Sequence, residues 1–169
     1  VQPAGDSRIF INSGSLTITG PISETAAGSD INKTGAGTLN IIGTGNSYSG
    51  TTTVSQGTLS LQLAGSGNSF NSDIQIASGA TLDLTTSNTL VDNWRFKKAI
   101  TGPAGSNITK NGPGWTMVEN AGGLGGFHGT LTINDGIFGN GFNAVGDWTG
   151  STADVVVNGN GVLDLRTDN

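Results

Sequence analysis

Few side chains in this sequence are of the kinds that do chemistry, and their spacing decides what chemistry is open to them. His128 is the single histidine and sits in Phe127-His128-Gly129, at a turn. No Ser or Cys partner pattern surrounds it, so a Ser-His or Cys-His nucleophile has no basis. Cysteine is absent, which removes disulfides, thiolate zinc sites and thiol catalysis together. With no second histidine, no EF-hand loop and no Gly-Gly-x-Gly-x-Asp calcium repeat, no metal site is expected, and no motif implies a cofactor. Carboxylates are what remains. Paired acids about 5–9 Å apart cleave glycosidic bonds, and parallel β-helices are one scaffold for such pairs. Asp83 and Asp164 each stand between leucines, in Leu82-Asp83-Leu84 and Leu163-Asp164-Leu165, so both should point outward from equivalent strands. At roughly four coils apart, about 20 Å, they are too distant to act together. Asp135, Asp147 and Asp154 are near enough in sequence to converge, but nothing in the spacing requires it. No catalytic residue is assigned, and the chain is read as a non-enzyme.

Binding chemistry is better represented. Trp94, Trp115 and Trp148 are candidate glycan or partner contacts, because indole faces stack on sugars and anchor interfaces; each could equally close a coil or pack beneath a loop. Trp94-Arg95-Phe96-Lys97-Lys98 gathers cations beside aromatics, yet it also reads as a solvated strand. Apart from this cluster the seven basic residues are dispersed and the net charge is −5. A nucleic-acid partner, which needs a basic face, is therefore not expected. Threonine-rich runs such as Thr51-Thr52-Thr53 and Thr130-Leu131-Thr132 raise ice binding, but Thr-x-Thr does not recur at every coil.

The elements that must carry these residues follow from composition. Glycine accounts for 29 of 169 residues and charged residues for only 11%. Gly, Ser, Thr and Asn are poor helix formers. The apolar residues are not scattered, as they would be in a disordered chain, but alternate in short runs between Gly and Asn, which predicts strands and tight turns. No apolar run approaches the roughly 20 residues of a membrane-spanning helix.

Those runs repeat at two scales. Gly14-Ser15-Leu16-Thr17-Ile18, Gly37-Thr38-Leu39-Asn40-Ile41, Gly57-Thr58-Leu59-Ser60-Leu61, Gly79-Ala80-Thr81-Leu82-Asp83-Leu84 and Gly161-Val162-Leu163-Asp164-Leu165 each read as a turn followed by a strand with one face inward. Most lie about twenty residues apart, the spacing of solenoid coils. At longer range, four strings recur in order, each at a nearly constant distance along the chain. Ile18-Thr19-Gly20-Pro21 returns as Ile100-Thr101-Gly102-Pro103, and Ile31-Asn32-Lys33-Thr34-Gly35-Ala36-Gly37 returns as Ile108-Thr109-Lys110-Asn111-Gly112-Pro113-Gly114. Tyr48 to Gly57 returns as Phe127 to Gly136, and Leu82-Asp83-Leu84 returns as Leu163-Asp164-Leu165. This super-repeat, about 18–84 and 100–165, predicts one all-β unit over 1–169: a right-handed single-stranded parallel β-helix, or β-solenoid, of roughly eight coils. Insertions would fall in its loops.

Lys33-Thr34-Gly35-Ala36-Gly37-Thr38-Leu39, then Asn46-Ser47-Tyr48-Ser49-Gly50-Thr51-Thr52 and Gly57-Thr58-Leu59, resembles the autotransporter-associated β-strand repeat, also called the passenger-associated transport repeat. The resemblance spans Ile31 to Leu61 and rests on Lys33, Gly35, Gly37, Leu39, Tyr48, Gly50, Gly57 and Leu59. Trp94 to Gly102 is similar to the segment that precedes the motif in this family. A looser second copy carries Lys110, Gly112, Gly114, Phe127, Gly129 and Gly136, with Trp115-Thr116-Met117 and Phe127-His128-Gly129 departing from the pattern. The resemblance implies a right-handed β-helix, extracellular or displayed on a bacterial cell surface, with no catalytic residues and no cofactor. Its expected role is structural or adhesive, and the alternative is a glycan-binding module or, further off, a β-helix polysaccharide lyase or hydrolase. The expected partners are adjacent coils of a longer chain or identical subunits head to tail in a fibre, since neither end shows a cap. A surface glycan is the other expected partner, and no membrane-spanning segment is expected.

Overall fold

The structure is a computed structural model that describes residues 7–63, 70–87, 93–119, 123–140 and 148–165. Every element in it is a strand. The chain winds as a parallel β-solenoid, each turn laying strands against those of the turns before and after. One face stacks β1 (Ser7–Phe10), β3 (Ile31–Thr34), β5 (Thr52–Val54), β7 (Ile74–Ile76) and β10 (Ile100–Thr101). A second face stacks β2 (Ser15–Ile18), β4 (Thr38–Ile41), β6 (Thr58–Leu63), β8 (Thr81–Thr86), β11 (Asn107–Asn111) and the first part of β13 (Thr130–Asn140). A third face holds β9 (Asn93–Phe96), β12 (Trp115–Val118) and the second part of β13. The strand β14 (Asp154–Asp164) lies on β13 over both of these faces. All pairings are parallel, so each strand's backbone groups are satisfied by neighbouring turns and not within its own.

Side-chain alternation turns this stacking into a core. Along the second face Leu16, Leu39, Leu59, Leu82, Ile108 and Leu131 are register partners one after another. From Leu39 to Leu131 all are fully buried. Each covers its neighbour's side chain at the strand spacing of about 4.8 Å, so the ladder buries apolar area continuously along the axis.

The turns are longer than the sequence motif suggests. Successive partners Ser15, Thr38, Thr58, Thr81, Asn107 and Thr130 are mostly set wider along the chain than the motif spacing, and the chain makes about six turns, not eight. The corner loops absorb the difference. They also displace the super-repeat around the axis. Ile31–Thr34 lies on the first face and its counterpart, within Asn107–Asn111, on the second. Thr52–Val54 lies on the first face, and its counterpart in Thr130–Ile133 on the second. Leu82-Asp83-Leu84 is on the second face, whereas Leu163 and Asp164 are on the third, paired with Phe138 and Gly139. Asp83 and Asp164 therefore do not occupy equivalent strands. One super-repeat covers three turns and roughly one further face. The opening string departs from this pattern: Ile18 ends a second-face strand, while Ile100 begins a first-face one.

Glycine makes the corners. Gly57 (φ +70°) and Gly136 (φ +70°) have the same surroundings one face apart. A Cβ on Gly57 would lie 2.5 Å from the carbonyl oxygens of both Gly35 and Gly37, and one on Gly136 2.5 Å from those of Gly112 and Gly114. Gly79 (φ +79°) needs the same left-handed backbone but has open space where a Cβ would stand. The two requirements are separable. Gly79→Ala is expected to cost about 1 kcal/mol from backbone strain alone. Gly57→Ala should cost at least ~2 kcal/mol, because its turn must also move off the turn below. Urea unfolding midpoints of the two variants test the difference.

Candidate functional site

The most distinctive chemistry lies inside the solenoid. In β3 the alternation places Ile31 and Lys33 on the same, inward side, and Lys33 is fully buried between Ile9 and Val54 in the register of the first face. Lys110 is likewise fully buried, between Leu84 and Ile133 on the second face. A buried ammonium is costly unless hydrogen-bonded. Lys33 Nζ donates to the carbonyl oxygens of Gly35 at 2.6 Å, Gln56 at 2.9 Å and Thr34 at 3.4 Å. Lys110 Nζ donates to those of Gly112 at 2.6 Å, Asn111 at 3.0 Å and Asp135 at 3.1 Å, and to Thr86 Oγ1 at 3.1 Å. Each lysine thus binds the corner of its own turn and the corner of the turn above.

The first copy's second element is a hydroxyl relay. The Tyr48 phenol lies 2.8 Å from Thr52 Oγ1, which lies 2.8 Å from Ser72 Oγ, and Ser72 donates to the Gly50 carbonyl at 2.5 Å. In the second copy Phe127 stands for Tyr48 and Leu131 for Thr52. Both members lose their hydroxyl together, so neither leaves a buried polar group unpaired. Gly50 and Gly129 have equivalent roles: a Cβ at either would run into the turn below, at Ser29 and Ser106 respectively. Leu39 and Leu59 belong to the core ladder. Gly37 and Gly114 supply matching corner carbonyls, to Thr58 N at 3.3 Å and to Ile137 N at 3.2 Å.

The tryptophans divide. Trp94 is only 4% exposed, and its ring is 5.5 Å from that of Phe96. Its indole is inside the coil and unable to stack on a ligand, because alternation in β9 turns Trp94 and Phe96 inward. Between them Arg95 faces out and pairs with Glu119 at 2.7 Å. Trp148 is half-buried, edge-on to Phe138 at 6.1 Å. Trp115 is half-buried in the outward row of the third face, followed in register by Ile137 and by Val162, which is 46% exposed. His128 is exposed, with Nδ1 3.0 Å from Thr152 Oγ1. It borders an open groove of about 430 Å³ on the first face, lined also by Thr53, Gln75, Thr101 and Pro103.

The candidate carboxylates occupy more than one face. Asp83 accepts hydrogen bonds from Ser60, Thr85, Thr109 and Asn111, at 2.6 to 3.1 Å. Asp135 Oδ1 accepts from Gly136 N at 2.9 Å, and Asp154 starts β14. Asp147 lies outside the described residues. Among those described, no group of three or more His, Cys, Asp or Glu side chains could hold a metal ion.

The repeat motif picks out Lys33 and Lys110 without assigning them a side of the strand. The signal was present: in Ile31-Asn32-Lys33 and Ile108-Thr109-Lys110 the two-residue period puts Lys on the side of Ile.

These features define a class, the parallel β-solenoid pinned at its corners by buried lysine. Residues 31–61 match the family model described as Passenger-associated-transport-repeat. That match, set in a β-solenoid, fits an autotransporter passenger repeat. No curated protein and no solved structure matches the chain.

Lys33→Met and Lys110→Met are each expected to lower stability by about 2–4 kcal/mol, since the corner carbonyls stay buried without a donor. A pH signature distinguishes the ammonium from mere bulk. Burial pushes the Lys110 ammonium down from 10.5 to about 8, partly opposed by Asp135 and Asp83, and burial also lowers Lys33. Between pH 8 and 10.5 the unfolded chain then binds more protons than the folded one, so stability rises with pH. Burial raises the Tyr48 phenol to about 12, an effect of opposite sign that begins near pH 10. Melting temperatures from pH 8 to 10 should climb for the native chain and less for Lys110→Met.

Proposed function

We propose that this chain is a structural and adhesive segment of an autotransporter-like surface protein, displayed outside the cell, with function carried by stiffness and exposed faces and not by catalysis. The observation that supports this most directly is the placement of the matched repeat, 31–61. It forms successive turns in the parallel stack without interrupting it, and Lys33 ties those turns together.

Head-to-tail stacking belongs to the same reading. At one end Phe10 is 59% and Leu16 46% exposed; at the other Val157 is 48% and Val162 46% exposed. The open strand edges beside them are templates for a further turn or a second copy. A glycan-binding role is the second reading, favoured by the outward row Trp115, Ile137 and Val162, which offers an indole beside apolar surface.

Two kinds of measurement separate these readings. Fused between a bacterial export signal and an autotransporter barrel, the chain should reach the cell surface, where added protease removes it; retention in the periplasm would defeat the passenger reading. Electron microscopy of the purified chain should show end-to-end rods, whereas isolated particles of about 30 Å would exclude the fibre. On a glycan array, binding that disappears in Trp115→Ala would move the assignment to the second reading.

A further inference from the structure

The open groove on the first face runs across the strands, parallel to the solenoid axis. In the register of that face Thr53 pairs with Gln75 and Gln75 with Thr101, all three pointing outward, and their side chains form one wall. Ala77, Pro103 and His128 form the other. Gly102 pairs with Phe127, so His128 lies one turn beyond Pro103. From Thr53 to His128 the groove crosses three strand spacings, about 14 Å along the axis. Its volume of about 430 Å³ is that of a small ligand site.

The walls are held in place, yet their polar groups are left with capacity to spare. The Pro103 carbonyl accepts from Ser106 N at 3.1 Å and from Ser106 Oγ at 2.6 Å, closing a turn that fixes the proline ring. His128 Nδ1 lies 3.0 Å from Thr152 Oγ1, which orients the imidazole and leaves Nε2 without a bond among the described residues. Gln75 is exposed, and neither its amide nor the Thr53 hydroxyl has a hydrogen bond among the described residues. The Thr101 hydroxyl reaches the Ile74 carbonyl only at 3.4 Å. None of these side chains is needed to satisfy the fold. Together they make a preorganised row of donors and acceptors beside a small apolar wall.

What such a row can recognise follows from its chemistry. No carboxylate, lysine or arginine lines the groove, so it selects neither a polyanion nor a cation. The strand backbones beneath are already paired with neighbouring turns. An extended peptide would find no edge to join, and its own N–H and C=O groups would outnumber the side chains on offer. Hydroxyl, amide and neutral imidazole groups each donate and accept, as sugar hydroxyls do. Ala77 and the Pro103 ring add apolar surface for the C–H face of a pyranose. We propose that the groove binds a neutral linear oligosaccharide laid along the solenoid axis, with Gln75 at the centre of the contact. This site is separate from the Trp115 row, which lies on the third face, and it does not depend on the stacking of copies.

Amide NMR spectra of the whole chain, titrated with malto-, cello-, laminari-, manno- and chito-oligosaccharides and with oligogalacturonate as an anionic comparison, test this. At least one neutral series should shift the Gln75, Thr101 and His128 signals together. Gln75→Ala should weaken that binding about tenfold, the worth of one or two hydrogen bonds. Thr53→Tyr, which fills the groove, should abolish it. Neither substitution removes a hydrogen bond described above, so both variants should keep the native melting temperature. Thr81→Tyr on the second face should bind as the native chain does. Absence of a shift with every neutral series overturns the inference, as does native affinity in both Gln75→Ala and Thr53→Tyr. Equal loss in Thr81→Tyr, preference for oligogalacturonate, or shifts confined to residues around Trp115 also overturn it. Any of these failures leaves the structural reading standing, because protease access at the cell surface and rod formation test that separately.

Discussion

A solenoid corner turns several carbonyl groups toward an apolar interior, and the rest of this structure depends on their finding donors. Lys33 and Lys110 provide them. Each ammonium is surrounded by carbonyl oxygens from two successive turns, so the interaction acts along the axis, where the apolar ladder alone would tolerate slippage. Leucine on leucine is indifferent to small shifts; an ammonium held by the corner of its own turn and the corner above is not. Direction and register come from this polar contact, and bulk stability comes from the apolar rows.

The same interaction accounts for the glycines. Carbonyl groups can converge on an ammonium only if the corner adopts a left-handed backbone at Gly35 (φ +81°) or Gly112 (φ +75°). The turn above can settle on that corner only if Gly57 or Gly136 brings no Cβ to it. Lysine, the corner glycine and the overlying glycine form one unit, which explains why the super-repeat keeps all three while tolerating Tyr48 to Phe127 and Thr52 to Leu131. That this unit serves one pair of faces in the first copy and the next pair in the second shows that it is a corner device, independent of which corner it closes.

With the interior committed to register, the outside is free to differ from face to face. The first bears a groove beside His128, the second the Asp83 carboxylate bonded to Ser60 and Thr109, and the third an apolar row at Trp115. Placing different surfaces on one stiff axis suits a displayed segment better than gathering them into one pocket. Asp83 and Asp154 share the second face but stand three strands apart, about 14 Å, and Asp164 lies on the third face.

The sequence by itself determined the strands, the parallel winding and the family resemblance. These rest on local quantities: a two-residue alternation, glycines at turns, and a motif in which each residue's role is repeated nearby. Only the tertiary structure decided the length of the turns, the face on which each copy lies and the side to which a chemically notable residue points. Turn length depends on loops with no periodic signal, and small additions to each turn carry the second copy of the super-repeat one face around the axis. Burial of Lys33, Lys110 and Trp94 depends on alternation combined with a closed coil. A charged or aromatic side chain is as compatible with one side of a strand as with the other until the fold supplies its partners.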